Sequence, residues 1–137
     1  MITKMSHTPI FVLNLASAKE FYVEKLGFKV NTEAEMGNGM VWLTLNPPEQ
    51  PDLEIILAPV SAGMMFDEPT AAKLKELVQS GKLGAGVFQT EDCFKTCEEL
   101  KAKGVKFRSE PEDKFYGIEA IIEDDSGNWF SVTQPKQ

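Results

Sequence analysis

The side chains that first suggest chemistry in this 137-residue chain are few: one histidine, His7; two cysteines four residues apart, Cys93 and Cys97; and the aromatic pair Phe115-Tyr116 in front of Gly117. Thiols at i and i+4 fall on one face of a helix. With no second pair, they indicate neither a zinc site nor a disulfide framework, and they read as two buried free thiols on a helix face. A single histidine also excludes a two-histidine, one-carboxylate iron site within one chain. In EDKFYGIEA, two rings and a charged run stand beside a glycine, a composition suited to the lip of a binding cleft. Tyr116 adds a hydroxyl for hydrogen bonding or proton donation. Trp42 in MVWLTL and Trp129 in GNWFSV alternate with apolar residues and read as core or wall residues, with ligand stacking as the other use of their rings. Met64, Met65 and Phe66 form a soft apolar patch that suits a pocket or an interface. Glu119 and Glu123 share a strand face with Ile121, which predicts a solvated outer face.

The elements that position these residues follow from the punctuation of the chain. TPIFVLN, rich in β-branched and apolar residues, predicts a first strand, with Pro9 near its start. Asn14 or Ser17 can cap the helix that follows, where Ala18, Phe21, Tyr22 and Leu26 recur at helical spacing until Gly27. FKVNTEAE, GMVWLTLN and DLEIILAP predict three more strands, separated by Gly37-Asn38-Gly39 and by the NPPEQP loop. In the last of them, Glu54 and Ile56 face one way while Leu53, Ile55 and Leu57 face the other. A connecting helix is expected over 68–80, with Leu74, Leu77 and Val78 as its apolar stripe.

The same order then returns. GAGVFQT predicts a strand, and residues 92–103 predict a helix through Cys93, Cys97 and Leu100 that ends at Gly104. VKFRSE, FYGIEAIIED and NWFSVTQ complete the copy, the last two joined across Asp124-Asp125-Ser126-Gly127. Overlaying Gly27 on Gly104 sets Phe28 on Val105, Val30 on Phe107, Val23 on Leu100 and Phe11 on Phe88. The expectation is an α+β fold of two βαβββ modules, about 5–60 and about 83–135, joined by a helix at about 67–81. A unit that leaves one sheet face open must cover it with its copy or a second chain, so two curved mixed sheets are expected around a shared cleft.

Composition limits the partners. No apolar run approaches the roughly 18 residues of a membrane span, and the N-terminal stretch lacks a cleavage pattern for secretion, so a cytoplasmic protein is expected. A formal net charge of −7 disfavours nucleic acid and anionic membrane, both of which reward positive surface, and favours a neutral or cationic small molecule.

The string HTPIFVLNLASAKEFYVEKLGF, the duplicated βαβββ order and the ending EDDSGNWFSV together resemble the vicinal oxygen chelate superfamily of glyoxalases, bleomycin resistance proteins and extradiol dioxygenases. The resemblance implies a homodimer and, in metal-dependent members, four ligand positions. These fall here on His7, Glu54, Ala85 or its neighbour Gly84, and Ser131. Two of the four lack a ligating side chain of the usual kind, whereas Lewis-acid catalysis ordinarily needs three protein ligands or more. The expectation is therefore a small-molecule-binding member without a cofactor, with Trp42, Phe115, Tyr116, Trp129 and Ser131 as ligand contacts. His7, Glu54 and Tyr116 are then candidate acid–base residues, since imidazole exchanges protons near neutral pH and a carboxylate facing an apolar cavity can serve as a base. The alternative is a divalent-metal lyase or dioxygenase of the same superfamily, with His7 and Glu54 as ligands and the shell completed by Glu119 or Glu123, or by a partner chain.

Overall fold

The computed structural model describes residues 1–61, 63 and 65–137, and its chain divides into two compact units, Met1–Leu74 and Lys75–Gln137. Met64 of the predicted apolar patch lies outside the described residues. Among the described residues, no helix is long and apolar enough to cross a membrane.

In the first unit, strand β1 (His7–Val12) leads into helix α1 (Leu15–Glu20), and strands β2 (Lys29–Gly37), β3 (Met40–Asn46) and β4 (Glu54–Pro59) follow. The sheet order is β1-β4-β3-β2, with β1 parallel to β4 and the other pairs antiparallel. Asn14 caps α1, its side-chain oxygen accepting from the Ser17 amide. The helix widens into a π turn over Phe21–Lys25 and stops at Gly27, whose φ of 78° suits a residue without Cβ. Alternation then sorts the strands. Ile10, Val12, Leu43, Leu45, Ile55 and Leu57 are buried together with Ala18, Phe21 and Tyr22 of the helical segment. Burying each large side chain of this set contributes about 1.5–3 kcal/mol. The opposite face carries His7, Pro9, Phe11, Trp42, Thr44, Glu54 and Ile56 by the strand registers and is the more open one: His7, Pro9 and Trp42 are exposed, Phe11, Glu54 and Ile56 half-buried, and Thr44 alone buried. Phe66 meets Phe11 there edge-on, 5.7 Å between ring centroids.

The second unit repeats the plan in full. Strand β5 (Gly84–Gln89), helix α3 (Cys93–Ala102) and strands β6 (Lys106–Lys114), β7 (Gly117–Glu123) and β8 (Trp129–Pro135) make a sheet of order β5-β8-β7-β6. Asp92 caps α3, and Gly104, at φ 82°, ends it as Gly27 ends α1. Behind each glycine comes a buried apolar residue whose amide bonds back into the helix, Phe28 to Tyr22 and Val105 to Leu100. Cys93 and Cys97 are free and buried against Ala120, with Phe107 and Ile118 packed beside them. The fold is thus α+β, two βαβββ modules, as the sequence predicts.

Four expectations are corrected. The connecting helix α2 (Glu68–Gln79) buries Ala71 and Val78, whereas Leu77 is 45% exposed, because i to i+7 rather than 74–77–78 defines its inner face. Phe115 and Tyr116 are not the start of a strand. They form the two-residue turn between Lys114 and Gly117, and β6 runs on through Pro111 to reach it. Phe11 and Phe88 are not equivalent in facing: Phe11 lies on the open face, but Phe88 stacks on the buried Phe130, 4.4 Å between centroids. The register shift between Gly84 and Gly86 displaces the overlay by one residue and reverses the side chain. Finally, Glu119 and Glu123 are only partly solvated; both are half-buried and held by hydrogen bonds.

Candidate functional site

The parallel pairing of β1 with β4 sets His7 directly opposite Glu54, on the open face of the first unit. His7 Nε2 lies 2.9 Å from Glu54 Oε2. A carboxylate oxygen accepts only, so this contact requires the proton on Nε2, and Nδ1 then meets the Ser6 hydroxyl at 2.9 Å. Glu54 Oε1 accepts from the hydroxyl of Thr44 on β3 at 2.7 Å. Thr44 is fully buried, so its only economical course is to donate to a partner, and this fixes the carboxylate from below. Exposure grades across the group: the Glu54 side chain is 24% exposed and that of His7 39%. Trp42, two residues before Thr44 and therefore on the same face, leaves a partly exposed indole 6.4 Å from the imidazole. A ring, a hydrogen-bonded imidazole and an anchored carboxylate thus adjoin on three neighbouring strands.

The second unit builds a related group from different strands. Ser131 on β8 donates its hydroxyl to Glu119 Oε2 on β7 at 2.6 Å and also meets Thr133 at 2.6 Å. The Tyr116 hydroxyl donates to Glu119 Oε1. The Ser131 bond, followed by that from Tyr116, holds the Glu119 carboxyl below the ordinary range, and the Tyr116–Glu119 bond pushes the Tyr116 phenol up. Phe115 packs edge-on against Tyr116 at 5.0 Å and is otherwise largely exposed.

Trp129 is occupied within its own unit. Its indole covers Gly84, where an added Cβ would come within 2.5 Å of the ring. Arg108 lies on the ring with its guanidinium carbon 5.9 Å from the centroid, itself held by Glu123 at 2.7 Å and by the Gly81 carbonyl at 2.8 Å. Burial works to raise the Glu123 carboxyl, but its bonds from Arg108 and Lys106 together bring it below the ordinary range. The first-strand position of the second module is therefore filled by an indole, with Ala85 beside it offering no donor.

Of the predicted residues, the structure brings together His7, Glu54 and Trp42 in one unit, and Tyr116, Phe115 and Ser131 in the other. Thr44, Ser6 and Thr133 join these groups without having been expected there. For Thr44 a signal existed: a threonine inside the apolar run MVWLTL must find a partner when the strand is buried. The donor set falls short of the four ligand positions that the resemblance implies. Two of the four positions supply no ligand, Ser131 is bonded to Glu119, and among the described residues no group of three or more His, Cys, Asp or Glu side chains is placed to hold an ion.

Two four-stranded βαβββ modules with a histidine and a carboxylate facing each other across the first parallel pair define a class of fold, and comparison with known proteins agrees. The profile of the Glyoxalase/Bleomycin resistance protein/Dioxygenase superfamily matches residues 4–132, and the chain belongs to that superfamily. It is 34% identical over 132 residues to the protein YurT of Bacillus subtilis (strain 168), covering 96% of this chain and 98% of YurT. Among solved structures it is similar to UcmS2, with 41% identity, a TM-score of 0.92, and coverage of 98% of this chain and 99% of that one. It shares its fold with TnmS3, an antibiotic binding protein from Streptomyces sp. CB03234, at 24% identity, a TM-score of 0.76 and 98% coverage of both chains.

Proposed function

We propose that the protein binds an aromatic small molecule, of neutral or cationic character, on the open sheet face of its first unit, without the superfamily's full metal set. The observation that carries this reading is the indole of Trp42, 38% exposed, beside the His7–Glu54 pair. A large ring left accessible next to two anchored polar groups is the make-up of a small-molecule site, in which apolar surface supplies affinity and a few fixed polar atoms supply orientation. The net charge of −7 disfavours anionic ligands in the same direction. That the fold serves antibiotic binding in TnmS3 supports the reading without identifying the ligand. In the second unit, the exposed rings of Phe115 and Tyr116 beside Glu119, which the buried Ser131 anchors, offer a further contact surface of the same kind.

The test is a thermal-shift and calorimetric screen of planar aromatic compounds against the protein and its Trp42→Ala variant. Binding that stabilises the protein and weakens about tenfold or more in the variant supports the reading. A panel that stabilises neither protein, or both equally, overturns it. Elemental analysis of protein purified without chelator tests the metal clause: about one divalent ion per chain, lost in His7→Ala, contradicts it.

A further inference from the structure

The His7–Glu54–Thr44 group has a polarity that bears on which aromatic molecule it accepts, a selection that rests on the proposed binding at this sheet face. Glu54 receives two hydrogen bonds, from His7 Nε2 and Thr44 Oγ1, and each of its oxygens keeps a further lone pair. The imidazole proton that faces the group is committed to Glu54, and the other ring nitrogen is engaged by Ser6. The capacity left for an incoming molecule is that of an acceptor, anchored by the buried Thr44 and bonded to His7, whose ring lies 6.4 Å from that of the partly exposed Trp42. The second unit arrives at the same polarity by other residues, since Glu119 is a carboxylate fixed by the hydroxyls of Ser131 and Tyr116.

We infer that the ligand is a planar aromatic molecule bearing a hydrogen-bond donor, an O–H or N–H, and that Glu54 selects it by accepting that hydrogen while Trp42 takes the ring. Thr44 and His7 are positioning residues in this scheme. A molecule of the same shape without the donor takes water from the carboxylate's remaining lone pairs without replacing it, and an anion meets it with like charge. Discrimination at fully buried donor sites reaches about four or five orders of magnitude. Glu54 retains 24% of its side-chain exposure, so water compensates in part, and about tenfold is expected.

Calorimetric titration with 6-hydroxyquinoline, 6-methoxyquinoline and quinoline-6-carboxylate tests the inference. The expected result is binding of the hydroxy compound about tenfold or more tighter than the methoxy compound, with the carboxylate weakest. In Glu54→Gln the hydroxy-to-methoxy ratio should fall to about threefold or less. Should that variant not fold, Thr44→Val, which releases the carboxylate from its anchor, is expected to reduce the ratio in the same direction. Equal binding of the hydroxy and methoxy compounds, or a ratio unchanged by both variants, overturns the donor selection and leaves the binding reading standing. No binding of any of the three to the folded protein overturns the binding reading itself.

Discussion

His7 and Glu54 stand directly opposite each other on parallel strands, nitrogen to oxygen 2.9 Å, with the buried hydroxyl of Thr44 on the far side of the carboxylate. Removing Thr44's hydroxyl while keeping its shape, as in Thr44→Val, frees one carboxylate oxygen from that donor. The expected outcome is a loss of about 1–2 kcal/mol in stability, from one charge-assisted bond. The chemical shift of the Glu54 side-chain carbon should change at neutral pH. Urea denaturation together with carbon-detected NMR reads both.

Glu119 makes stability depend on pH in a defined direction. Ser131 and Tyr116 hold its carboxyl below the ordinary value of 4.5. A depressed carboxyl contributes stability that is fully present above the unfolded value and is lost as pH falls through the folded one. Ser131→Ala should therefore lower the urea midpoint at neutral pH, and the difference from the parent should shrink as the pH is taken below 4.5. A difference that stays constant down to about pH 2 would show that the serine acts by packing alone.

The thiols should be inert in the native state. Burial is the leading cause that raises both cysteines, Cys97 to about 12. The nucleophile is the thiolate, so a disulfide reagent should modify Cys93 and Cys97 only as fast as the second unit opens. Modification at the rate of a free thiol would contradict the packing of α3 on β7.

Gly84→Ala tests the seat of Trp129. An added Cβ meets the indole at 2.5 Å, so the ring must lift away, with Arg108 behind it. A cost of about 1–3 kcal/mol is expected. In a Trp42→Phe background the remaining emission should shift, and an unshifted spectrum would place the indole elsewhere.

Asp124 closes the β7–β8 turn that the sequence DDSG announces. One of its oxygens accepts from the amides of Ser126, Gly127 and Asn128, each at 2.9 Å, and the other from the Asn128 side chain. Asp124→Ala leaves several of these donors in a buried turn, and a loss of about 2–4 kcal/mol in urea denaturation is expected.

Local signals were legible in the sequence, and signals that depend on another strand were not. Asn14, Gly27 and Gly104 announce helix starts and stops because caps and left-handed glycines act within one turn of chain. The repeat is legible for the same reason, as is the facing of Glu54 against Ile55 and Leu57. The one-residue bulge at Gly84–Gly86 is not, and it turns Phe88 away from the side that Phe11 takes. Glu119 and Glu123 look solvated from alternation alone. Their partners Ser131, Tyr116, Arg108 and Lys106 are set by registers with β6 and β8 that no single strand encodes. Leu77 shows the limit of a helical stripe read without knowing what it packs on.

The most direct measurement of the central claim is a titration of isotope-labelled protein with 6-hydroxyquinoline, following the two indole N–H resonances by NMR. Trp42 is partly exposed beside His7, whereas Trp129 is packed over Gly84 with Arg108 on its ring. The account predicts that the Trp42 signal moves in a saturable way, together with the His7 ring, while that of Trp129 stays in place. A saturable shift at Trp129 with Trp42 unmoved would contradict it.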